Sequence, residues 1–376
     1  MPDSIKQIDL NSTIITDVAG LRALESEWNN LMERSTSPQM FLTWEWVVSW
    51  LDAIENEIIP FVVVVRDGGG RLCGLAPLYF WRYKFLKLWV DVLRPLGDHH
   101  TGIMYPGWII DRENPIAVSR AIGAELYKRK RDYDLIWIPR MGEWNQEVLH
   151  LTEGLKDTSL TIQQRPCSYS AAQLPSSVDE YKKQLTRKVS QNLRRATRKV
   201  EQDGGEIITC DNKADLDEFK QALYFLHDKR WTQKGELGLF ERRPLARRFY
   251  EEFLPRAASL DWLRIKAIRT DNSFKAIKLG YAYDKSLLSV QAGFDPDYVS
   301  GAANVLLFDV ICGAIDEGLE VYDFLCPHTK HKGQWNAKER FGADLYIASN
   351  SMISTVIARI GAWPNGRYLQ PIEIPT

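Results

Sequence analysis

The sequence predicts an α/β protein with mixed sheets, arranged as two copies of one order of helices and strands. Each half contains a helix, a β-hairpin, a second helix and a final strand, in that order. The chain of 376 residues is long enough for about two domains of ordinary size. Two unrelated α/β halves would produce the same order, so that alternative stays open.

The first copy is defined by hydrophobic periodicity and by a glycine-rich turn. Its elements are helices over 18–34 and 41–54, a hairpin that turns at 67–70, a helix over 115–130 and a strand over 133–139. The turn reads Asp-Gly-Gly-Gly, and glycine supplies the positive φ that a tight hairpin turn needs.

The second copy repeats this order. Its elements are a helix over 221–231, a hairpin that turns at 270–273 on Asp271 and Asn272, a strand over 286–294, a helix over 302–317 and a strand over 319–325. We therefore expect an N-terminal domain at 1–165, a C-terminal domain at 176–350 and a tail at 351–376. The boundary is expected in 161–176, which contains two prolines and several small polar residues.

Composition excludes several classes of protein. The 48 basic and 49 acidic residues balance, so no overall charge favours nucleic acid as a partner. The five cysteines are odd in number and form no C-x-x-C pair, which indicates a reducing compartment. The longest apolar run, 58–65, is too short to span a membrane, and the first residues do not resemble a signal peptide. We expect a soluble, cytoplasmic protein.

A helix predicted over 181–202 carries an unusual concentration of positive charge. Its basic residues include Arg187, Lys188, Arg194, Arg195, Arg198 and Lys199, and no acidic residue occurs from 182 to 200. Such a face could bind a phosphorylated ligand, RNA or an anionic membrane surface. A solvated face is the simpler alternative. Because the helix has no interleaved aromatic residues, single-stranded nucleic acid is disfavoured.

A turn of small residues precedes the helix predicted at 302–317. It contains Ser300, Gly301, Ala302, Ala303 and Asn304, directly after a strand that ends near Phe294. Backbone N–H groups at a helix start bind anions, and small side chains let a pyrophosphate approach the backbone. Capping of the helix alone would also explain Ser-Gly.

The segment 321–342 has the highest density of reactive side chains. Asp323 lies inside a strand pattern between Tyr322 and Phe324. The following loop contains Cys326, His328, Lys330, His331, Lys332 and Trp335. Ligand sites in open α/β sheets usually lie at the carboxyl ends of strands. The cysteine and histidines have no second cluster of ligands, so we expect no metal site. Asp98, His99 and His100 could mark a degenerate copy of this site.

These segments resemble the GNAT acyltransferase superfamily. The resemblance is carried by PFVVVVRDGGGRLCGLAPLYF, TRKVSQNLRRATRKVEQDGG, LHDKRWTQKGELGLF, YVSGAANVLL and the YDFL strand with its later His-Lys, Trp and RFG. Within the superfamily the chain resembles the CelD/BcsL proteins of cellulose and exopolysaccharide biosynthesis, and more distantly FemABX. The resemblance implies tandem GNAT-like acyltransferase domains, the first of them degenerate. It also implies an acyl-CoA co-substrate such as acetyl-CoA.

The implied reaction is transfer of an acyl group to an amine, on an amino sugar or another cell-envelope precursor. Such chemistry needs a proton acceptor and groups that stabilise the oxyanion. Asp323 is the expected base, since burial in a strand favours its protonated form, and Tyr322 is the expected acid for the leaving thiolate. Asp323 could instead pair structurally with Lys332 or Arg230, and strand tyrosines often only pack.

The remaining candidates are substrate-binding residues. His227, Arg230 and Trp231 share a helix face, and Gln291, Lys332 and Trp335 complete the expected acceptor cleft. Core packing would explain the tryptophans equally well, and Lys332 could be a surface residue. Two other functions stay open: an aminoacyl-tRNA-dependent transferase, and a non-catalytic accessory protein of a polysaccharide synthase.

Overall fold

The computed structural model describes residues 9–54, 57–85, 88–99, 101–142, 147–211, 214–271, 273–349 and 351–362. By its contacts the chain divides into two compact units: 1–168 with 341–376, and 169–340. Both units combine helices with a mixed sheet, so the predicted α/β class is confirmed. Asn272, expected in a turn, and His100 lie outside the described residues.

The first unit is a mixed sheet covered by helices. Its elements are β1 (Leu10–Ile15), α1 (Val18–Arg22), α2 (Glu25–Glu33), a 3₁₀ turn (Met40–Leu42), α3 (Trp44–Ala53), β2 (Ile59–Asp67), β3 (Leu72–Phe85), β4 (Leu88–Pro95), β5 (Ile109–Ile110), α4 (Pro115–Lys128), β6 (Leu135–Gly142), α5 (Glu147–Leu155), the first part of β7 (Thr161–Gln173), most of β13 (Lys338–Ala348) and α13 (Met352–Ala362). The strand order is β1-β2-β3-β4-β6-β13-β7, with β5 beside β3. The helix predicted over 18–34 is two helices, and Leu24 between them is buried.

The second unit has the same kind of construction. Its elements are the end of β7, α6 (Val178–Gln184), α7 (Arg187–Gln202), β8 (Glu206–Thr209), α8 (Leu216–Thr232), α9 (Leu239–Arg242), α10 (Pro244–Ser259), β9 (Leu263–Thr270), β10 (Ser273–Tyr283), β11 (Ser286–Phe294), α11 (Ala302–Asp316), β12 (Val321–Leu325) and α12 (Lys330–Gly333). The strand order is β7-β12-β11-β10-β9-β8. The stretch 161–176, where we expected a boundary, is mostly strand β7.

The basic helix predicted over 181–202 is interrupted once. Leu185 and Thr186 have extended backbones, which separate α6 from α7. The Thr186 hydroxyl accepts a hydrogen bond from the N–H of Val189 at 3.3 Å, which caps the new helix start. The apolar stripe of α7 includes the buried Ala196 and Val200, which pack in one cluster with residues of α11.

The two units repeat one strand–helix–strand arrangement. In the first, β4 and β6 pair in parallel on either side of α4; in the second, β11 and β12 do so around α11. Both parallel ladders are short, two residue pairs in the first and three in the second. The second strand of each parallel pair, β6 or β12, contains a residue with positive φ, Arg140 at 56° and Leu325 at 58°. The repeat predicted from element order is present in the structure.

Candidate functional site

Strands β11 and β12 separate at their carboxyl ends. Their parallel ladder stops at the pair Leu288 and Asp323, although β11 continues to Phe294. Strand β11 also carries one extra residue against β10 after Ser289, which bends a strand away from its neighbour. The gap left beyond the ladder is where an α/β sheet accepts a ligand.

A cleft of about 420 Å³ lies beside the start of α11. It is lined by Val189, Asn192, Leu193, Arg195, Ala196 and Lys199 of α7, and by Ser300, Gly301, Asn304, Gln334 and Trp335. Arg195 and Lys199 are exposed, and no carboxylate among the described residues pairs with either. The cleft therefore combines two uncompensated cations with the positive end of a helix dipole.

The turn at Ser300–Asn304 does not offer all the N–H groups that its sequence suggested. The N–H of Ala302 donates to the Val299 carbonyl at 3.0 Å, and that of Asn304 donates to the Gly301 carbonyl at 2.9 Å. Ala302 itself is 4% exposed, whereas Ser300 is exposed and Ala303 half-buried. Ser300 and Ala303 are thus better placed than Ala302 to meet a ligand.

Gly301 is required by the protein's own packing. Its φ of +92° is in the region that favours glycine, and it forms the N-cap of α11. A Cβ added there would lie 2.9 Å from Cβ of Ala196 on α7. Gly301 therefore allows α7 and α11 to approach closely, and it also lines the cleft, so its contact with a pyrophosphate stays a prediction.

Asp323 and Tyr322 are neighbours on β12, and the alternation of a strand directs them to opposite faces. Asp323 is 5% exposed, and its Oδ1 accepts a hydrogen bond from the N–H of Leu325 at 2.8 Å. This bond supports the left-handed conformation of Leu325. Tyr322 is fully buried; burial raises the pKa of its hydroxyl, and the nearby Ser289 side chain offsets part of that rise.

Lys332 holds the loop that follows β12. Its Nζ donates to the carbonyl oxygens of Phe324 at 2.9 Å, Leu325 at 3.0 Å and Pro327 at 2.7 Å. An ammonium group has three N–H donors, so these bonds use all of them. The geometry assigns Lys332 to shaping the loop rather than to contacting a phosphate or carboxylate.

His331 is the side chain of this loop that faces the turn of α11. Its Nε2 lies 3.2 Å from the Asn304 Oδ1, a contact between residues 27 apart in sequence. Burial lowers the pKa of His331, and the charges of Lys278, Arg230 and Lys332 lower it further. The imidazole is therefore neutral at pH 7 and can accept a proton. The local sequence contains no signal for this, because both the contact and the charges come from distant segments.

Lys278 is a functional candidate that the sequence analysis missed. It lies on β10, is only partly accessible, and its Nζ donates to Ser289 Oγ at 2.8 Å. Its pKa is lowered to about 8 by burial and by the charges of Lys332 and Arg230. Lys278 lies between apolar residues, Ile277 and Leu279, in the middle of the strand FKAIKLGYAY, and this position is the sequence signal that could have identified it.

His227 and Trp231 lie side by side on α8, as their spacing predicted. The indole Nε1 of Trp231 donates to Nε2 of His227 at 3.2 Å, and His227 Nδ1 lies 3.3 Å from Asp228 Oδ1. Both ring nitrogens are thus engaged, and burial lowers the pKa of His227. This pair supports the helix rather than presenting a free imidazole.

Arg230, Gln291 and Trp335 do not form one face. The guanidinium of Arg230 lies 5.0 Å from the Phe294 ring, at the end of β11. Gln291 lies near the hydroxyl of Tyr250 on α10, where it lowers that group's pKa against the effect of burial. Trp335 is 2% exposed and packs in the core, although it borders the cleft.

The equivalent position in the first unit is filled by its own side chains. Arg94, just beyond the β4–β6 ladder, forms an ion pair with Asp98 and lies 4.0 Å from the Trp137 ring. Arg140 donates to the other oxygen of Asp98 at 3.3 Å. The His99 ring packs on that of Trp81, with ring centroids 4.0 Å apart.

Two further structural findings concern only the described part of the chain. No helix there is both long and apolar enough to cross a lipid bilayer. No three histidine, cysteine or acidic side chains there are grouped to hold a metal ion. In particular, His328 Nδ1 lies 2.7 Å from Ser170 Oγ, whereas His331 faces Asn304, so the two histidines have different surroundings.

Comparison with known proteins agrees with this geometry. Residues 187–333 match the profile of the acetyltransferase (GNAT) domain family. FemX is similar in structure over 93% of this chain and 100% of its own, with 11% identity and a TM-score of 0.61. L-PGS from Bacillus licheniformis is similar over 91% and 97%, with 13% identity and a TM-score of 0.52.

A protein of unknown function from Bacteroides thetaiotaomicron is similar over 86% of this chain and 97% of its own, with 10% identity and a TM-score of 0.53. Because these three proteins share only 10–13% of their residues with this chain, the similarity concerns the fold alone. No curated protein sequence matches the chain. Residues 187–333, which contain the separated strands, most of the cleft lining and the α11 turn, are therefore similar to acetyltransferase (GNAT) domains.

Proposed function

We propose that the protein is an acyl-CoA-dependent N-acyltransferase whose active site lies in the second unit. The observation that carries this proposal is the cleft between α7 and the start of α11, because it joins two uncompensated cations to a helix N-terminus beside separated parallel strands. GNAT domains generally take an acyl-CoA, and residues 187–333 match that family.

The donor would bind along this cleft. Arg195 and Lys199 suit the phosphate groups of coenzyme A, since both are exposed cations without a carboxylate partner among the described residues. The thioester would then reach the gap between β11 and β12. This position places the reacting carbonyl near the loop that contains His331.

The reaction would proceed by direct attack of the acceptor amine on the thioester carbonyl. The C–N bond forms, the C–S bond breaks, and coenzyme A leaves as a thiolate that becomes the thiol by taking a proton from water. His331 accepts at Nδ1 the proton that the amine loses, because its Nε2 donates to Asn304 and its imidazole is neutral at pH 7. Asp323 supports this site by holding Leu325 in its left-handed conformation.

The acceptor would be an amine on an amino sugar or another envelope or exopolysaccharide precursor. This part of the proposal rests on the resemblance to CelD/BcsL proteins. The first unit would be a degenerate copy, because Arg94, Asp98 and Arg140 fill the position that corresponds to the gap in the second.

Isothermal titration with acetyl-CoA tests the donor site. Reversal of charge at Arg195 and Lys199 should weaken binding at least tenfold, because both line the cleft. The same reversal at Arg187 and Lys188, exposed on α7 but outside the cleft, is the matched control and should change affinity less than twofold. Absence of binding by the wild-type protein would reject the proposal.

The proton acceptor can be identified from a pH–rate profile. His331→Gln should lower kcat by roughly 100-fold or more and remove the limb of the profile that reports its titration. Asp323→Asn should lower the rate without removing that limb. If the limb disappears in Asp323→Asn instead, Asp323 is the base. If no acyl transfer is found despite acetyl-CoA binding, an accessory role in polysaccharide synthesis is favoured.

A second candidate function is supported by the basic face of α7 as a whole. Its six basic residues, Arg187, Lys188, Arg194, Arg195, Arg198 and Lys199, are all exposed, and no described carboxylate pairs with any of them. A surface of this kind suits RNA, as an aminoacyl-tRNA donor would require, or another polyanion such as an anionic membrane. Charge reversal at Arg194 and Arg198 should abolish tRNA retention in that case and leave acetyl-CoA binding unchanged.

A further inference from the structure

Two lysines that lie side by side in the sheet have different partners. Lys278 on β10 is the register partner of Lys266 on β9. Lys266 Nζ forms an ion pair with Asp309 at 2.7 Å. Lys278 Nζ donates to the hydroxyl of Ser289, and no carboxylate of the described residues pairs with it. A partly buried cation that has only a neutral partner is costly unless an anion compensates it.

Arg230 is a second cation that has no carboxylate partner among the described residues. Its guanidinium packs on the rings of Phe294 and Trp231, at 5.0 and 5.9 Å. Its Nε is buried and has no acceptor within the described part of the chain. No described carboxylate forms an ion pair with it either. Aromatic packing accounts for the position of this side chain and leaves its hydrogen-bond donors unused.

The two cations lie at the same end of β11, because Lys278 pairs in register with Ala292 and Arg230 packs on the ring of Phe294, two residues further along that strand. The charge of Arg230 lowers the pKa of Lys278, and both charges lower that of His331. Lys332 is also near, but its three donors are occupied by backbone carbonyls. Lys278 and Arg230 therefore still have N–H groups that can donate hydrogen bonds to a ligand. These groups lie at the open end of β11, near the imidazole of His331.

We infer that Lys278 and Arg230 form a subsite for an oxyanion, a carboxylate or a phosphate, on the acceptor substrate. Arginine offers a planar fork to such a group, and lysine adds a point charge. The Ser289 hydroxyl can donate a further hydrogen bond. The assignment to the acceptor rests on the proposed function, whereas binding of an oxyanion at this place does not. The acceptor is accordingly an amine that also carries a negative charge.

Titration of the lysine ε-carbons by NMR tests the subsite in the full chain. Protein labelled with ¹³C at lysine Cε is titrated alone, with inorganic phosphate and with acetate, and Lys278→Met identifies the signal. Without an anion, Lys278 should titrate near the pKa of about 8. Saturating anion should raise that midpoint by at least one pH unit, because it stabilises the charged form. No change with either anion overturns the inference.

Affinity measurements on variants provide the second test. Lys278→Met and Arg230→Met should each weaken binding of the better anion at least tenfold. Lys266→Met, the neighbouring lysine with its own carboxylate, is the matched control and should bind within twofold of wild type. Equal affinity in wild type, Lys278→Met and Arg230→Met overturns the subsite. If one of the two variants fails to fold, the anion affinity of the other decides whether the subsite exists.

Coenzyme A separates this inference from the proposed function. With saturating coenzyme A present, phosphate or acetate should still bind at Lys278. If coenzyme A prevents that binding, the subsite belongs to the donor and its assignment to the acceptor is wrong. If acetyl-CoA does not bind at all but the anion does, the proposed function fails while the oxyanion subsite stands.

Discussion

Replacing Gly301 by alanine should destabilise the second unit more than replacing a glycine that has space around it. At φ of +92° an alanine is strained by about 1–3 kcal/mol. Its Cβ would also lie 2.9 Å from Ala196 Cβ, and overpacking of this kind costs about 1–3 kcal/mol. The expected loss in free energy of unfolding is therefore about 2–6 kcal/mol, measured by urea denaturation.

Two other glycines separate the cost of backbone strain from the cost of overpacking. Gly204 has φ of +69° but nothing within 4 Å of an added Cβ, so Gly204→Ala should cost only strain, about 1–2 kcal/mol. Gly333 lies in α12 with open space and no positive φ, so Gly333→Ala should be neutral or slightly stabilising.

A double-mutant cycle tests the contact itself. Ala196→Gly should cost about 1 kcal/mol alone because glycine disfavours a helix, yet should recover part of the loss in Gly301→Ala. The reasoning is refuted if Gly301→Ala costs no more than Gly204→Ala, or if the cycle shows no coupling. If Gly301→Ala loses affinity for acetyl-CoA with unchanged stability, the glycine serves the ligand instead.

The buried charges predict how three further substitutions change the free energy of unfolding. Asp98→Asn leaves Arg94 without its carboxylate and should cost about 3–5 kcal/mol in chemical denaturation, whereas Asp91→Asn, in an exposed pair, should cost less than about 1 kcal/mol. Lys332→Met removes three bonds to carbonyls and should cost about 2–3 kcal/mol, a loss that exposed Lys330 would not share. Between pH 8 and 10.5, Lys278 is already deprotonated in the folded protein but still protonated in the unfolded chain. The free energy of unfolding of the wild type should therefore rise with pH, relative to that of Lys278→Met, by at most about 3 kcal/mol. A difference between the two proteins that does not change with pH contradicts the lowered pKa.

Local patterns predicted the fold well where each element carries its own signal. The hairpin of β2 and β3, the hairpin of β9 and β10, and α11 followed by β12 are all present. The break between α6 and α7 was missed, although Thr186 is a good N-cap, because the charge pattern continues through it. The expected boundary region, 161–176, contains the division between the two units at 168 and 169, but most of it is strand β7 and not a linker.

The site was harder to predict because its chemistry depends on contacts between distant segments. Asp323 and Lys332 were favoured for their residue types, but both form hydrogen bonds with backbone groups at the end of β12. His331 was set aside, and its surroundings come from Asn304, Lys278 and Arg230 on three other elements. Only packing in three dimensions determines the charges around each side chain.

The connectivity of the two units has a consequence for synthesis on the ribosome. The first unit needs residues after 340, because β13 lies between β6 and β7 in its sheet. The second unit occupies 169–340 and is complete in sequence before that strand exists. At about 5–20 residues per second, the first 168 residues wait roughly 9–35 s for it. The strand edges of β6 and β7 lack a partner throughout that interval, so a nascent chain halted at 340 should bind chaperones more than the full chain does.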